Sequence, residues 1–131
     1  MNVLIIEPAR YSREILNQLV VDTGASAHTA DNGAHALESI ESEMPDAILV
    51  AHELGDMDSS EFMNKLKRLQ GSRIPPILLI TAQQNEEIRK KAYKLGYTEV
   101  LDRSQLAEVS RSIQSLVAQS SLKLNAKVLL V

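Results

Sequence analysis

The chain has 131 residues, no cysteine and no tryptophan, a net charge of -3, and a composition that is 44% hydrophobic but only 3% aromatic. That length supports one domain with a core that needs no staples, and the missing cysteines exclude disulfides and thiolate metal sites, as suits a protein of the reducing cytoplasm. The N-terminal apolar run is too short for a signal peptide or a membrane span. Charges of both signs predict no basic face for nucleic acid, and few rings remain for stacking on bases or sugars.

Val3-Leu4-Ile5-Ile6 is an aliphatic, partly β-branched run and reads as a buried strand that stops at Glu7-Pro8. A helix is expected from Ser12, with Ile15, Leu16, Leu19 and Val20 inward and Gly24 just past its end. Ala25 to Ala30 alternates weakly and reads as an edge strand. The turn Asp31-Asn32-Gly33 then offers Asn32 or Asp31 as cap for a helix with Ala36, Leu37 and Ile40 inward. Ala47-Ile48-Leu49-Val50-Ala51 is apolar throughout, the pattern of a strand covered on both faces of a parallel sheet. It breaks into the polar loop His52-Glu53-Leu54-Gly55-Asp56-Met57-Asp58.

Asp58 or Ser59 can cap a third helix carrying Phe62, Leu66 and Leu69, closed by Gly71 and Pro75-Pro76. Ile77 to Ile80 is the fourth strand, ending in Thr81-Ala82. A helix from about Asn85 to Leu95 stops at Gly96, and Thr98 to Leu101 is a short fifth strand. Leu106, Val109, Ile113, Leu116 and Val117 stripe the fifth helix. Residues 120–125 read as a linker. Residues 126–131, AKVLLV, repeat the opening NVLII pattern and read as the start of a second, similar domain, the chain then being a fragment; a chance recurrence of short aliphatic runs is the plain alternative.

Five alternations of strand and helix with short connections predict an α/β fold, a parallel sheet with helices on both faces. Ligands in such sheets sit at the carboxyl end of a central strand, which here means the loop after Ala51.

The markers at the strand ends stand in a familiar register. They are the strand before Glu7, Arg13 six residues on, Asn32-Gly33 with Ala36-Leu37, Pro45-Asp46 before the third strand, Met57-Asp58 after it, Ile80-Thr81-Ala82, and Gly96 before the fifth. Over residues 1–119 the chain resembles the receiver domain of bacterial response regulators. The resemblance implies the CheY-like, flavodoxin-like (βα)5 fold with strand order 2-1-3-4-5. It also implies a place in two-component phosphorelay signalling, and it locates the active positions. The phosphoacceptor aspartate corresponds to Ala51, and the two Mg²⁺-holding acids to Glu7 and Pro8. The hydroxyl position is Thr81, the Lys-Pro pair is Arg103-Ser104, and the switching aromatic is Val100.

Phosphoryl transfer needs an oxygen nucleophile, a hard cation on oxygen ligands and a positive group against developing charge. Ala51 removes the nucleophile and one ligand, and Pro8 removes another. The expectation is a degenerate pseudo-receiver: no catalytic residue, not an enzyme, no cofactor, and Mg²⁺ binding at Glu7 weak or absent. Glu7 is free to pair with Arg103 instead. Glu53, Asp56 and Asp58 read as a solvated acidic loop or an accidental cation site. The scattered His28, His35 and His52 lack metal-ligand spacing.

The expected role is a protein-interaction module for a following receiver or an output domain of the diguanylate cyclase or kinase type in the same chain. A homodimer through the fourth helix, fifth strand and fifth helix is a possible extra contact, using charges such as Lys90 and Arg111 against a plain solvated face. No nucleic acid and no membrane are expected as partners. The competing reading is a phosphoaccepting receiver in which Glu53, two residues along, stands in for Ala51. A flavodoxin-like small-molecule binder lacks support from any glycine-rich phosphate loop.

Overall fold

The computed structural model of the chain describes residues 1–82 and 85–129, with side chains to residue 120. Five strands, β1 (Asn2–Ile6), β2 (Ser26–Ala30), β3 (Ala47–Ala51), β4 (Ile77–Thr81) and β5 (Glu99–Asp102), alternate with α1 (Arg10–Asp22), α2 (Gly33–Ser42), α3 (Ser59–Gln70), α4 (Glu86–Leu95) and α5 (Leu106–Leu129). The strands form one parallel sheet in the order β2-β1-β3-β4-β5.

Two apolar layers explain why this order is stable. On one face Leu4, Ile6, Ile48, Val50 and Leu79 pack against Ala36 and Ile40 of α2, Phe62, Met63 and Leu66 of α3, and Ala92 of α4. On the other, Val3, Ile5, Leu49, Leu78 and Ile80 pack against Leu16 and Val20 of α1 and Val109 and Ile113 of α5. Every residue of β3 and β4 is buried, so each large aliphatic side chain there contributes roughly 1.5–3 kcal/mol by leaving water. The central strands lack alternation for that reason, while β2, at the edge, is mostly exposed.

The helix starts follow the capping residues. The Asn32 side chain accepts from the His35 N–H, Asp58 from Glu61 and Asn85 from Ile88, each satisfying one orphan donor of a first turn. Gly96, at φ 111°, ends α4 in the left-handed region that a side chain would strain.

Four expectations change. Leu69 is 44% exposed and Met63 takes the inward position, because Phe62, Met63 and Leu66 already complete the buried stripe of α3. Leu106, at the start of the α5 stripe, is 40% exposed. In β2, which β1 pairs along its whole length, the weak alternation does not carry through to burial: Ala27 is half-buried, Thr29 is exposed and Ala30 is the buried residue. The backbone through 120–125 and on to Leu129 is helical, not a linker followed by a strand. Neither Gly nor Pro follows Gly96 in the chain, so nothing there breaks a run rich in Leu, Lys and Ala. Residues 130 and 131 lie outside the described residues, and with them the end of the segment read as a second domain's first strand. Among the described residues no helix is long and apolar enough to cross a membrane.

Candidate functional site

The carboxyl ends of β1, β3, β4 and β5 open on a cleft of about 330 Å³ lined by Glu7, Pro8, Ala9, His52, Glu53, Ile80, Thr81, Ala82 and Arg103. Ala51 closes β3 directly beneath it and is 3% exposed. Thr81, at the end of β4, is 2% exposed. Neither the methyl of Ala51 nor the ring of Pro8 presents an oxygen to the cleft.

Glu7 sits at the end of β1, where its N–H donates to the Ala30 carbonyl at 3.0 Å and continues the β1–β2 ladder one residue past the strand. Its side chain is 1% exposed. Arg103 reaches it from the far side: its Nη2 lies 2.6 Å from Glu7 Oε1. The two residues follow strands separated by β3 and β4, so the pair spans about 14 Å of sheet at ~4.8 Å per strand, passing over the ends of both inner strands. The Arg103 backbone is held as well, its N–H donating to the Thr81 carbonyl at 3.0 Å. Its Nε is buried and has no hydrogen-bond partner among the described residues.

Burial pushes the Glu7 carboxyl above its ordinary range, against the opposing pull of the Arg103 guanidinium, a hydrogen bond from Ser12 and the charge of Arg13. Arg13 also shapes the loop, its Nη1 donating to the carbonyls of Glu7 at 2.9 Å and Pro8 at 3.2 Å. Ser104, where the resemblance has a proline, folds into an Asx turn in which its N–H and Oγ both donate to Asp102 Oδ1, at 2.9 and 2.8 Å. These two bonds hold the Asp102 carboxyl below its usual range. Val100, which the resemblance sets against the switching aromatic, is 2% exposed.

The loop after β3 is pinned from three sides. Asp56 Oδ1 and Oδ2 accept from the N–H groups of Gly33 and Ala34, both at 2.9 Å, at the start of α2. Burial opposes ionisation of Asp56, but these backbone donors outweigh it and bring the carboxyl below its usual range. Asp58 is spent on capping α3. Ser59 donates its N–H to the His52 carbonyl at 3.1 Å, and its Oγ is 3.2 Å from His52 Nδ1. From β5's side the Tyr97 hydroxyl donates to the Ser59 carbonyl at 2.7 Å, and burial pushes that phenol well up. Gly33 also lets the loop close on α2, since a Cβ there would stand 2.6 Å from Met57 Sδ.

Glu7, Pro8, Thr81 and Arg103 therefore meet at one cleft above Ala51. Glu53 lines its rim, with a side chain 77% exposed and Oε1 3.9 Å from His52 Nε2. The strand ends at Ala51, and Glu53 pairs instead with Asp58 in an isolated antiparallel bridge; the two-residue alternation that put Glu53 on the Ala51 face does not extend that far. Asp56 and Asp58 serve backbone N–H groups rather than a shared cation. His35 pairs with Asp31 at 2.8 Å, away from the cleft, and His28 stands exposed on β2. Two anchors were missed by sequence reasoning. Tyr97 carries no periodic signal beside Gly96, and the Asp56 partners lie 22 and 23 residues away; a lone tyrosine opening a buried strand was the one available clue to the first.

The family model of the response regulator receiver domain matches residues 3–113, and the chain belongs to that family. It is 27% identical over 101 residues to an uncharacterised 14.6 kDa protein of Leptolyngbya boryana, covering 77% of each. It is 30% identical over 103 residues to the cyclic di-GMP phosphodiesterase response regulator RpfG of Xanthomonas campestris. That match takes in 77% of this chain but only 27% of the relative's length. Among solved structures, the signal receiver domain of a LuxO repressor protein from Vibrio parahaemolyticus superposes with a TM-score of 0.82 at 17% identity, over 93% of both chains. The receiver fold and a place in two-component signalling follow.

Proposed function

We propose that this receiver domain works without phosphorylation at its usual position, as a protein-contact module for an adjacent receiver or output domain. The observation that carries this reading is the substitution at the end of β3 taken with its neighbours. Ala51 supplies no attacking oxygen, and the buried acid nearest to it, Glu7, is already occupied by Arg103 at 2.6 Å.

The donor set also fits Mg²⁺ poorly. That ion wants near-octahedral oxygen at about 2.1 Å and is held through carboxylates, whereas here the buried carboxylate, Glu7, faces a guanidinium and the other at the cleft, Glu53, stands 77% exposed on its rim. Among the described residues no three His, Cys, Asp or Glu side chains gather closely enough to hold a metal. Arg103 takes the part of a resident cation, balancing Glu7 and tying the loop after β1 to the loop after β5. The name of the Xanthomonas relative joins a response regulator to a cyclic di-GMP phosphodiesterase; by analogy the contact would be made to an output domain in the same chain, of the cyclase or kinase type, in the cytoplasm.

Amide NMR with Mg²⁺, before and after beryllofluoride or acetyl phosphate, tests this. No shifts around Ala51, Thr81 and Arg103, and no mass increase, are the expected results. Saturable Mg²⁺-dependent shifts there, with phosphate found on Glu53 by peptide mapping, would replace this reading with the competing one.

A further inference from the structure

Charge along this chain is segregated in a way its net value hides. From Glu14 to Asn64 there are 11 Asp and Glu and no Lys or Arg; from Lys65 to Lys94 there are 8 Lys and Arg against 2 Glu. The fold turns that order into a spatial one. Helices α2, α3 and α4 cover the same face of the sheet, α2 beside α3 and α3 beside α4. The α2 margin carries the exposed Glu38, Glu41 and Glu43, while the α3–α4 margin carries the exposed Lys67, Arg68, Lys91 and Lys94. The mixed signs read from composition thus become two margins of one helical layer, acidic along α2 and, even counting the exposed Glu61, Glu86 and Glu87, net basic along α3 and α4.

The basic charges are gathered rather than dispersed. Lys67 Nζ leans from α3 over the end of α4, 3.7 Å from where a Cβ on Gly96 would be, beside the last turn that holds Lys94. Helix carbonyl ends favour such cations. Among the described residues, of the eight cations only Lys90 makes an ion pair, with Glu86 at 3.9 Å. Between α3 and α4 runs a groove of about 270 Å³ whose apolar lining includes Ile88, Ala92 and Leu95; its charged lining is mixed, Lys91 with Asp58 and Glu87, so the basic character lies outside the groove, on Lys67, Arg68 and Lys94.

We infer that the α3–α4 strip is a docking surface for a second copy of this chain, which presents its acidic α2 margin head to tail. Both halves of the complementarity are on one molecule, so the contact is heterologous: a pair of copies keeps one free acidic and one free basic face, and growth beyond two is built in. Charge complementarity of this kind sets register and encounter rate and weakens with salt. This deepens the protein-contact reading by naming the partner, yet the two fail separately. A chain that accepts phosphate could still stack, and a closed site could sit on a monomer.

Sedimentation velocity on the whole chain tests it. The weight-average mass should rise with protein concentration at about 0.01 M salt and fall to the monomer at about 0.3 M, where the screening length drops several-fold. Lys67→Gln with Lys94→Gln, and separately Glu38→Gln with Glu41→Gln, should each leave a folded monomer, since all four side chains are exposed. Mixed together, the two variants should form a 1:1 dimer and stop there, each lending its intact face. A monomer at every low-salt concentration would overturn the inference. So would association that survives either variant, which marks a symmetric or apolar contact, or a mixture that stays monomeric. Salt-sensitive binding to duplex oligonucleotide without self-association would assign the strip to nucleic acid instead.

Discussion

Two parts of the candidate site, the ends of β1 and β5 and the loop after β3, place their charges in different ways. At β1 and β5 the charges face each other: a buried acid and a half-exposed arginine meet across two intervening strands. After β3 the acids face the backbone, Asp56 the first turn of α2 and Asp58 that of α3. The difference teaches that an acidic residue near such a site says little by itself. What it faces decides whether it balances a charge, caps a helix or could hold a ligand.

The largest expected effect breaks the first arrangement. Arg103→Ala leaves Glu7 buried without its counterion, and loss of one partner of a buried pair costs on the order of 3 kcal/mol. Glu7→Gln removes the charge that needed the partner and should cost less, about 1 kcal/mol. Urea unfolding of the two variants measures the gap, and equal losses would mean that the pair is no more than a surface contact. Next comes Tyr97→Phe, which strips the buried donor from the Ser59 carbonyl and should cost about 1–2 kcal/mol. It should also raise amide exchange through 52–59 and leave the surroundings of Glu7 unchanged.

The pH dependence sharpens the comparison, because the two acids carry opposite signs. Glu7 titrates higher folded than its ordinary 4.5. Its contribution is therefore full below that value and lost as pH rises through the folded pKa. Asp56 titrates lower folded than its ordinary 3.8, so its contribution is present above that value and lost as pH falls through the folded pKa. Stability measured against pH should slope downward above about 4.5 in the parent and flatten there in Glu7→Gln. The acid-side loss should flatten in Asp56→Asn. The smallest effect is that of Asn32→Ala, about 1 kcal/mol from a lost cap on α2, with no change in either slope.

Much of this was legible in the sequence because burial writes itself into composition. β3 and β4 are apolar at nearly every position since both of their faces are covered, and Asn32, Asp58 and Gly96 announce the helix ends they form. That Ala51 ends the third strand was legible for the same reason that the strand was: its register from Pro45-Asp46 leaves one residue at the end. What stayed hidden was whatever depends on a partner far along the chain. Nothing local tells that Asp56 will find the start of α2 or that Tyr97 will brace Ser59. Leu69 keeps helical spacing yet faces water, because periodicity marks a stripe without marking its width. The two oppositely charged margins needed the fold, which sets α2 and α4 on the same face of the sheet.

The span between Glu7 and Arg103, 96 residues along the chain, also has a consequence for biosynthesis. Until residue 103 has emerged, at about 5–20 residues per second, Glu7 can meet only the Arg13 guanidinium, whose charge already lies close by. The strap over the sheet closes only once β5 is in place, so it reports the docking of the last strand.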